Sequence, residues 1–296
     1  MDRLRALEIF VAVAGEGGFA AAARKLGSSP PAVTRAIAAL EARLGTRLFH
    51  RSTRAVALTD AGAAFLVEAR RILADLADAE RAARGGEATP RGQLHLTAPV
   101  MFGRLHVLPV VQAMLARHAE LTVRMMLIDR NVRIVEEGID VAVRIGALSD
   151  SSLKAVRIGS VRQMLAASPA YLARHGAPEC IADLDRHQLI GSMGPRVTRE
   201  WQFARGRHRI EGQARLTLNS VEAALAAAEA GLGIVNLLSY QLADAVQAGR
   251  LIALMPDEQP PALPVHLLFD SSRSALPAVR LFLDAMKEEA RRARLA

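Results

Sequence analysis

The chain has 296 residues, a formal net charge of +8 at pH 7, a hydrophobic content of 51% and one cysteine, Cys180. This length is enough for two or three domains with large cores, and a single cysteine excludes an intrachain disulfide and any cysteine-based metal cluster. No apolar run approaches the roughly 18–20 residues of a membrane-spanning helix, and the first residues, MDRLRALEIF, lack the pattern of a signal peptide. We therefore expect a soluble, cytoplasmic protein without a membrane partner.

Residues 19–59 have the pattern of two short helices around a tight turn, followed by a hairpin. Small residues at 20–23 allow close helix packing, and Gly27 permits a sharp turn. Ser29 stands at an N-cap position, and prolines 30 and 31 suit a first helical turn, where a missing N–H is harmless. This order of features predicts a helix-turn-helix.

The second helix of this motif has two different faces. Its helical spacing predicts a buried apolar stripe of Val33, Ile37, Leu40 and Leu44. The opposite face carries a hydroxyl and an arginine, groups that hydrogen-bond base edges and phosphates in a major groove. The residues expected on this outward face are Pro30, Pro31, Thr34 and Arg35.

A basic hairpin follows, with short strands predicted at residues 48–49 and 56–58. The stretch 43–54 contains basic residues and no acidic residue, although a solvated surface normally mixes signs. We interpret it as a phosphate-binding wing rather than a general solvated face. Its basic residues are Arg43, Arg47, His50, Arg51 and Arg54.

A long helix is expected from Thr59, an N-cap residue, to Gly85-Gly86, where EATPRG forms a linker. Its small and apolar residues alternate spacings of three and four over about three heptads, which favours a dimer seam over packing on its own domain. The seam residues are Gly62, Phe65, Ala69, Ile72, Leu76, Ala79 and Ala83.

The rest of the chain alternates strand and helix patterns. LHLTA, LTVRMMLI and DVAVRI read as strands, FGRLHVLPVVQAMLARH and VRIVEEG as helices, and RQMLAASPAYLARHG as a strand followed by a helix. The run 219–222 has capping-box spacing and opens a further helix that ends at Gly231 before the strand GIVNLL. This alternation predicts an α/β architecture with largely parallel sheets.

The run LRALEIFVAVAGEGGFAAAARKLG, continued by SPPAVTRAIAALEARLG and RLFHRSTRAVALTDAG, resembles the winged helix-turn-helix of LysR-type transcriptional regulators. The resemblance extends through the whole chain. One departure is Gly18, which stands where the family usually has a capping serine. The resemblance implies a mainly α winged helix-turn-helix domain at 1–58, a dimerisation helix and hinge at 59–90, and an effector-binding domain at 91–296. The last is expected to be a two-lobed, Rossmann-like α/β domain similar to periplasmic solute-binding proteins, with lobe I at about 92–162 and 264–296 and lobe II at about 163–263.

The resemblance also implies partners and sites. The chain is expected to bind double-stranded DNA at an imperfect inverted repeat, to form a homodimer and, like most family members, a homotetramer, and to contact RNA polymerase if it is an activator. The residues that match DNA-contacting positions are Ser29, Pro30, Pro31, Thr34, Arg35, Arg51, Thr53 and Arg54. A small organic effector, an anion or an aromatic compound, is expected between the lobes. The residues that match its binding segments are Pro99, Val100, Met101, Phe102, Arg144, Gly146, Asn219 and Ser220.

Two other classes of protein are less favoured. A solute-binding protein would fit the C-terminal part, but the N-terminal pattern and the missing signal peptide argue against it. A cytoplasmic α/β enzyme lacks a catalytic set, since the eight histidines are scattered and neither a G-x-S-x-G elbow nor a P-loop is present. We expect no metal and no cofactor. Asn219 could be only a helix cap and Arg144 only a salt-bridge partner between the lobes.

Overall fold

The computed structural model describes residues 2–51, 56–83, 90–130, 132–134, 136–148, 153–192, 200–210 and 214–295. The chain divides into two compact units, Met1–Thr89 and Pro90–Ala296. The elements of the first unit are α1 (Arg3–Glu16), α2 (Phe19–Lys25), α3 (Pro30–Leu44), β1 (Phe49–Arg51), β2 (Val56–Leu58) and α4 (Asp60–Ala83). The helix-turn-helix and the hairpin that follows it are confirmed.

An aromatic cluster forms the core of the first unit. The ring of Phe10 lies 5.3 Å from the rings of both Phe49 and Phe65, so α1, β1 and α4 meet at one point. On α3 the buried stripe contains Val33, Ala36, Ile37 and Leu40. The prediction that Leu44 also belongs to this stripe is wrong, since Leu44 is 40% exposed. The reason is that α3 ends at Leu44 and the chain turns away at Gly45, which has φ of 68°.

Helix α4 begins as its sequence predicts and then departs from the predicted seam. The Thr59 hydroxyl accepts a hydrogen bond from the Gly62 N–H at 2.9 Å, which confirms the N-cap. Gly62, Phe65 and Ala69 face the core of their own unit, however, with Ala69 fully buried. The prediction that these three residues belong to a dimer seam is therefore wrong. The apolar core around Phe10 and Phe49 packs against this half of α4 within the same chain.

The second unit contains two five-stranded sheets. The elements of its first part are β3 (Gly92–Ala98), α5 (Val100–Phe102), a π-helical turn (Gly103–Val107), α6 (Leu108–Arg117), β4 (Leu121–Leu127), β5 (Val141–Ile145) and β6 (Lys154–Val161). The second part has β7 (Gln163–Ala167), α7 (Pro169–His175), β8 (Leu189–Ser192), β9 (Glu200–Phe203), β10 (Gly206–Arg209), β11 (Ala214–Leu218), α8 (Val221–Glu229), β12 (Ile234–Leu238), α9 (Ser239–Gln247) and β13 (Ile252–Leu254). The chain then returns to the first sheet with β14 (Leu263–Phe269) and α10 (Pro277–Arg292).

The strand orders are β4-β3-β5-β14-β6 in the first sheet and β11-β8-β12-β7-β13 in the second. We call the first sheet with its helices lobe I and the second lobe II. In each sheet one strand runs against its two neighbours, β14 in lobe I and β7 in lobe II. The expectation of largely parallel sheets is wrong at these strands, because each of them enters its sheet from the other lobe. The two-lobed α/β fold class is confirmed.

Two local expectations are corrected. The helix predicted for VRIVEEG is a short turn in its described residues, closed by a hydrogen bond from the Glu137 N–H to the Arg133 carbonyl, and Gly138 at φ of 64° ends it. The N-cap of α8 is Ser220 and not Asn219: the Ser220 hydroxyl accepts from the Ala223 N–H at 3.2 Å. Among the described residues no single helix is long and apolar enough to cross a membrane. Only α1 and α2 taken together meet the length and composition of a span, and the chain bends by 119° between them.

Candidate functional site

The outward face of α3 is built by its first turn. The Ser29 hydroxyl caps the helix by accepting from the Ala32 N–H at 3.4 Å, and the Thr34 hydroxyl donates to the Pro30 carbonyl at 3.0 Å. Because Val33 and Ile37 are fully buried on the opposite side, the candidate groove-facing residues share one solvent-exposed surface. These residues are Ser29, Pro30, Pro31, Thr34 and Arg35.

The hairpin beside α3 is fixed by a contact that the sequence did not reveal. One carboxylate oxygen of Glu41 accepts hydrogen bonds from the Leu48 N–H at 2.9 Å and the Phe49 N–H at 3.2 Å. This ties the start of β1 to the last turns of α3. The donors lie seven and eight residues after the acceptor in the sequence, and no local motif marks such a contact. The contact fixes the hairpin beside the exposed face of α3.

Exposed basic side chains surround this hairpin. Arg43, Arg47 and His50 are exposed, so their charge is available to a phosphate backbone. Arg51 ends β1. Thr53 and Arg54, the two remaining wing residues expected to contact DNA, lie outside the described residues. The basic surface that is described therefore adjoins the end of α3 and the first strand of the hairpin.

In lobe I, the candidate effector segment follows the carboxyl end of β3. The Val100 N–H donates to the Asp129 carboxylate at 3.1 Å, so a side chain already occupies one free amide of the α5 terminus. Phe102 is fully buried and Met101 is 7% exposed. Both pack inside the protein in this conformation rather than line an open wall. Their assignment as effector contacts stays a prediction.

Contacts between the lobes bring the two candidate segments together. The Arg104 guanidinium lies 3.3 Å from the Glu222 carboxylate in the first turn of α8, next to Ser220. The Phe102 ring lies 5.4 Å from the ring of Tyr240 on α9. Burial raises the pKa of the Tyr240 hydroxyl, which accepts a hydrogen bond from the Gln241 amide at 3.1 Å. The sequence had not singled out Arg104 or Tyr240, and it had marked Glu222 only as a member of a capping box.

Arg144 is the next-to-last residue of β5, the strand beside β3, and Gly146 follows the end of β5. One Arg144 nitrogen donates to the Val143 carbonyl at 3.3 Å. Burial lowers the pKa of this guanidinium, and the nearby charge of Glu137 opposes that shift. Gly146 has φ of 109°, a conformation that favours glycine, and its N–H donates to the Pro264 carbonyl. No salt bridge from Arg144 to lobe II is found within the described residues.

The described residues hold no group of three or more histidine, cysteine or carboxylate side chains that could bind a metal ion. An exposed helix N-terminus beside a basic hairpin in one unit, with a two-lobed α/β unit in the same chain, defines a class: DNA-binding regulators that sense a ligand.

Comparison with known proteins agrees with this class. Residues 4–63 match the family of bacterial regulatory helix-turn-helix proteins of the lysR family, and residues 87–291 match the LysR substrate binding domain. The chain is 34% identical over 289 residues to the HTH-type transcriptional regulator PtxR of Pseudomonas aeruginosa, covering 96% of this chain and 92% of PtxR. It is 32% identical over 292 residues to an HTH-type transcriptional repressor of the same species, and the match covers 97% of this chain and 92% of the repressor.

Among solved structures, CrgA, a LysR-type transcriptional regulator from Neisseria meningitidis, has a TM-score of 0.63 and 28% identity, and the match covers 98% of this chain and 99% of CrgA. The chain therefore belongs to the LysR family: it is a LysR-type DNA-binding transcriptional regulator with a substrate-binding effector domain. The solute-binding and enzyme alternatives are not favoured, since the relatives are transcriptional regulators.

Proposed function

We propose that α3 reads the operator in the major groove with Pro30, Pro31, Thr34 and Arg35, while Ser29 contacts the DNA backbone. The observation that carries this proposal is the exposure of these side chains on one face of a helix whose opposite face is buried. In the hairpin, Arg51, Thr53 and Arg54 contact phosphate or the minor groove. Arg43 and Arg47 add sequence-independent attraction to the phosphates.

We also propose that the DNA-binding domain comprises residues 1–58, the dimerisation helix and hinge 59–90 and the effector domain 91–296. Ile72, 40% exposed, and Leu76 are absent from the core that covers the first half of α4, and they supply apolar surface for a second copy. The active species is a homodimer that reads an imperfect inverted repeat, since a two-fold axis requires two matching half-sites. Effector domains pair further to give a tetramer.

The effector is a small organic molecule bound between lobes I and II. Lobe I contributes Pro99, Val100, Met101, Phe102, Arg144 and Gly146, and lobe II contributes Asn219 and Ser220. The Arg104–Glu222 ion pair supports this arrangement because it joins the segment after β3 to the first turn of α8. Ligand binding shifts the balance between lobe arrangements and so alters operator binding. The protein works in the cytoplasm, has no catalytic role, and contacts RNA polymerase where it activates.

A gel-shift titration with the DNA upstream of its own gene tests the DNA-binding role. The full-length protein should retard this fragment at concentrations at least 1,000-fold below those needed for unrelated DNA of equal length, the low end for specific recognition. Equal affinity for both fragments would contradict operator recognition by α3. The effector role is tested separately by screening small metabolites for a rise in the melting temperature of the effector domain.

A further inference from the structure

Three basic side chains lie side by side on neighbouring strands of lobe I. Arg144 on β5 is paired in register with His266 on β14, and His266 is paired in register with Arg157 on β6. Neighbouring strands are about 4.8 Å apart, so the three side chains span about 10 Å on one face of the sheet. This is the face opposite the packed core, since Val143 and Val265 belong to that core.

Two polar atoms in this row are buried without a partner. Arg144 Nη2 and His266 Nδ1 make no hydrogen bond and are inaccessible to solvent. Arg157 is exposed and its Nε donates to the Gly159 carbonyl at 3.3 Å. Burial first, and then the charge of Arg157, lowers the pKa of His266. Among the described residues, Glu137 acts on Arg144 only through its charge, and no carboxylate is paired with the row.

This arrangement costs free energy in the absence of a ligand. The two arginines lie on either side of the His266 strand with no paired carboxylate between them, and a buried donor without a partner, such as Arg144 Nη2, destabilises the folded state. Unsatisfied buried polar atoms are uncommon in folded proteins, and a bound ion is one of the partners that can satisfy them. An anion between Arg144 and His266 would accept hydrogen bonds from Arg144 Nη2 and from His266 Nδ1 in the tautomer that carries its hydrogen there, and would balance the charge of the arginines.

The row also lies at the proposed effector site. Thr97 of β3 is paired with Ala142 of β5, so Arg144, two residues further along β5, lies at the same end of the sheet as the segment that follows β3. We propose that Arg144 and His266, with Arg157 at the rim, form an anion subsite that binds a carboxylate, sulfonate or phosphate group of the effector. The proposal rests on the proposed function and narrows its effector to an anionic compound.

Sulfate is a suitable probe because its charge is constant near neutral pH. Unfolding of the full-length protein is followed by the fluorescence of Trp201, its only tryptophan, while sulfate replaces chloride at constant ionic strength. The wild type should show a saturable rise in melting temperature. In the Arg144→Gln/His266→Gln double variant the apparent affinity should fall at least tenfold.

Arg124→Gln is the matched control, because Arg124 is an exposed arginine on the same face of the sheet, at its far edge on β4. It should keep the wild-type response. Arg157→Gln is a second test that remains available if the double variant does not fold, because it alters an exposed side chain. It should weaken sulfate binding about threefold. A wild type without saturation, or wild-type affinity in both Arg157→Gln and the double variant, would overturn the subsite.

Operator binding in chloride, measured on the same samples, separates the two proposals. A wild type that binds its operator but shows no saturable sulfate response contradicts the anion subsite alone. Failure of the wild type to bind its operator contradicts the proposed DNA-binding function, whatever sulfate does.

Discussion

At the residue scale, we expect Arg35 to determine which DNA sequence is bound and Arg47 to contribute affinity for any DNA sequence. Arg35 lies on the exposed face of α3 and Arg47 near the hairpin, and both are exposed. We expect Arg35→Ala to cost about 1–3 kcal/mol on the correct operator and to relax preference at one base position. Arg47→Ala should weaken all sequences equally and lower the salt slope by about one unit. Competition gel shifts at several salt concentrations measure both effects; equal loss of specificity would refute the division.

Gly62 is a second position at which a single substitution should have a large effect, here on the stability of the first unit. A Cβ at Gly62 would lie 2.0 Å from the Leu48 carbonyl oxygen, which is backbone and cannot move aside. We expect Gly62→Ala to destabilise the first unit by about 1–3 kcal/mol, the range for overpacking. Gly15→Ala is the control, since a Cβ at this position in α1 meets nothing within 4 Å and should be neutral or stabilising. Urea unfolding measures both, and equal effects would contradict the close approach of α4 to Leu48.

At the element scale, the second half of α4 should control assembly. Leu73 still packs against the core of the first unit, but Ile72 and Leu76 are not part of it. Ile72→Asp with Leu76→Asp should therefore abolish the dimer and its operator binding while the effector domain melts as in the wild type. Size-exclusion chromatography with light scattering measures the change. An unaltered mass would mean that this half of α4 does not form the interface.

The elements also separate what the sequence can predict from what it cannot. The caps Ser29 and Thr59 are local and were predicted, because their partners lie within three residues. The helical period of α4 predicted an apolar stripe but could not show what packs against it. Phe65 and Ala69 were therefore assigned to a dimer interface, whereas they pack in the core of their own unit. The pairing of Arg144 with His266 joins strands far apart in sequence, and no pattern in either strand indicates it.

At the scale of the whole molecule, one chain contains two compact units, one matching the helix-turn-helix family and the other the substrate binding domain. The fold class follows from sequence because the helix-turn-helix is contiguous and strand–helix alternation defines an α/β domain. The residues proposed to bind the effector are harder to predict, since they come from segments of both lobes, which are joined by contacts such as that of Arg104 with Glu222. Only the folded chain brings such segments together.

The most direct measurement of the central claim is a hydroxyl-radical footprint of the full-length protein on its operator. Two copies of α3 related by a two-fold axis should protect two half-sites of an imperfect inverted repeat, on one face of the duplex and about one helical turn or a multiple of it apart. The Ile72→Asp/Leu76→Asp variant should lose both protections together. A single protected site, or protection without any preference for sequence, would contradict a dimeric regulator that reads DNA through α3.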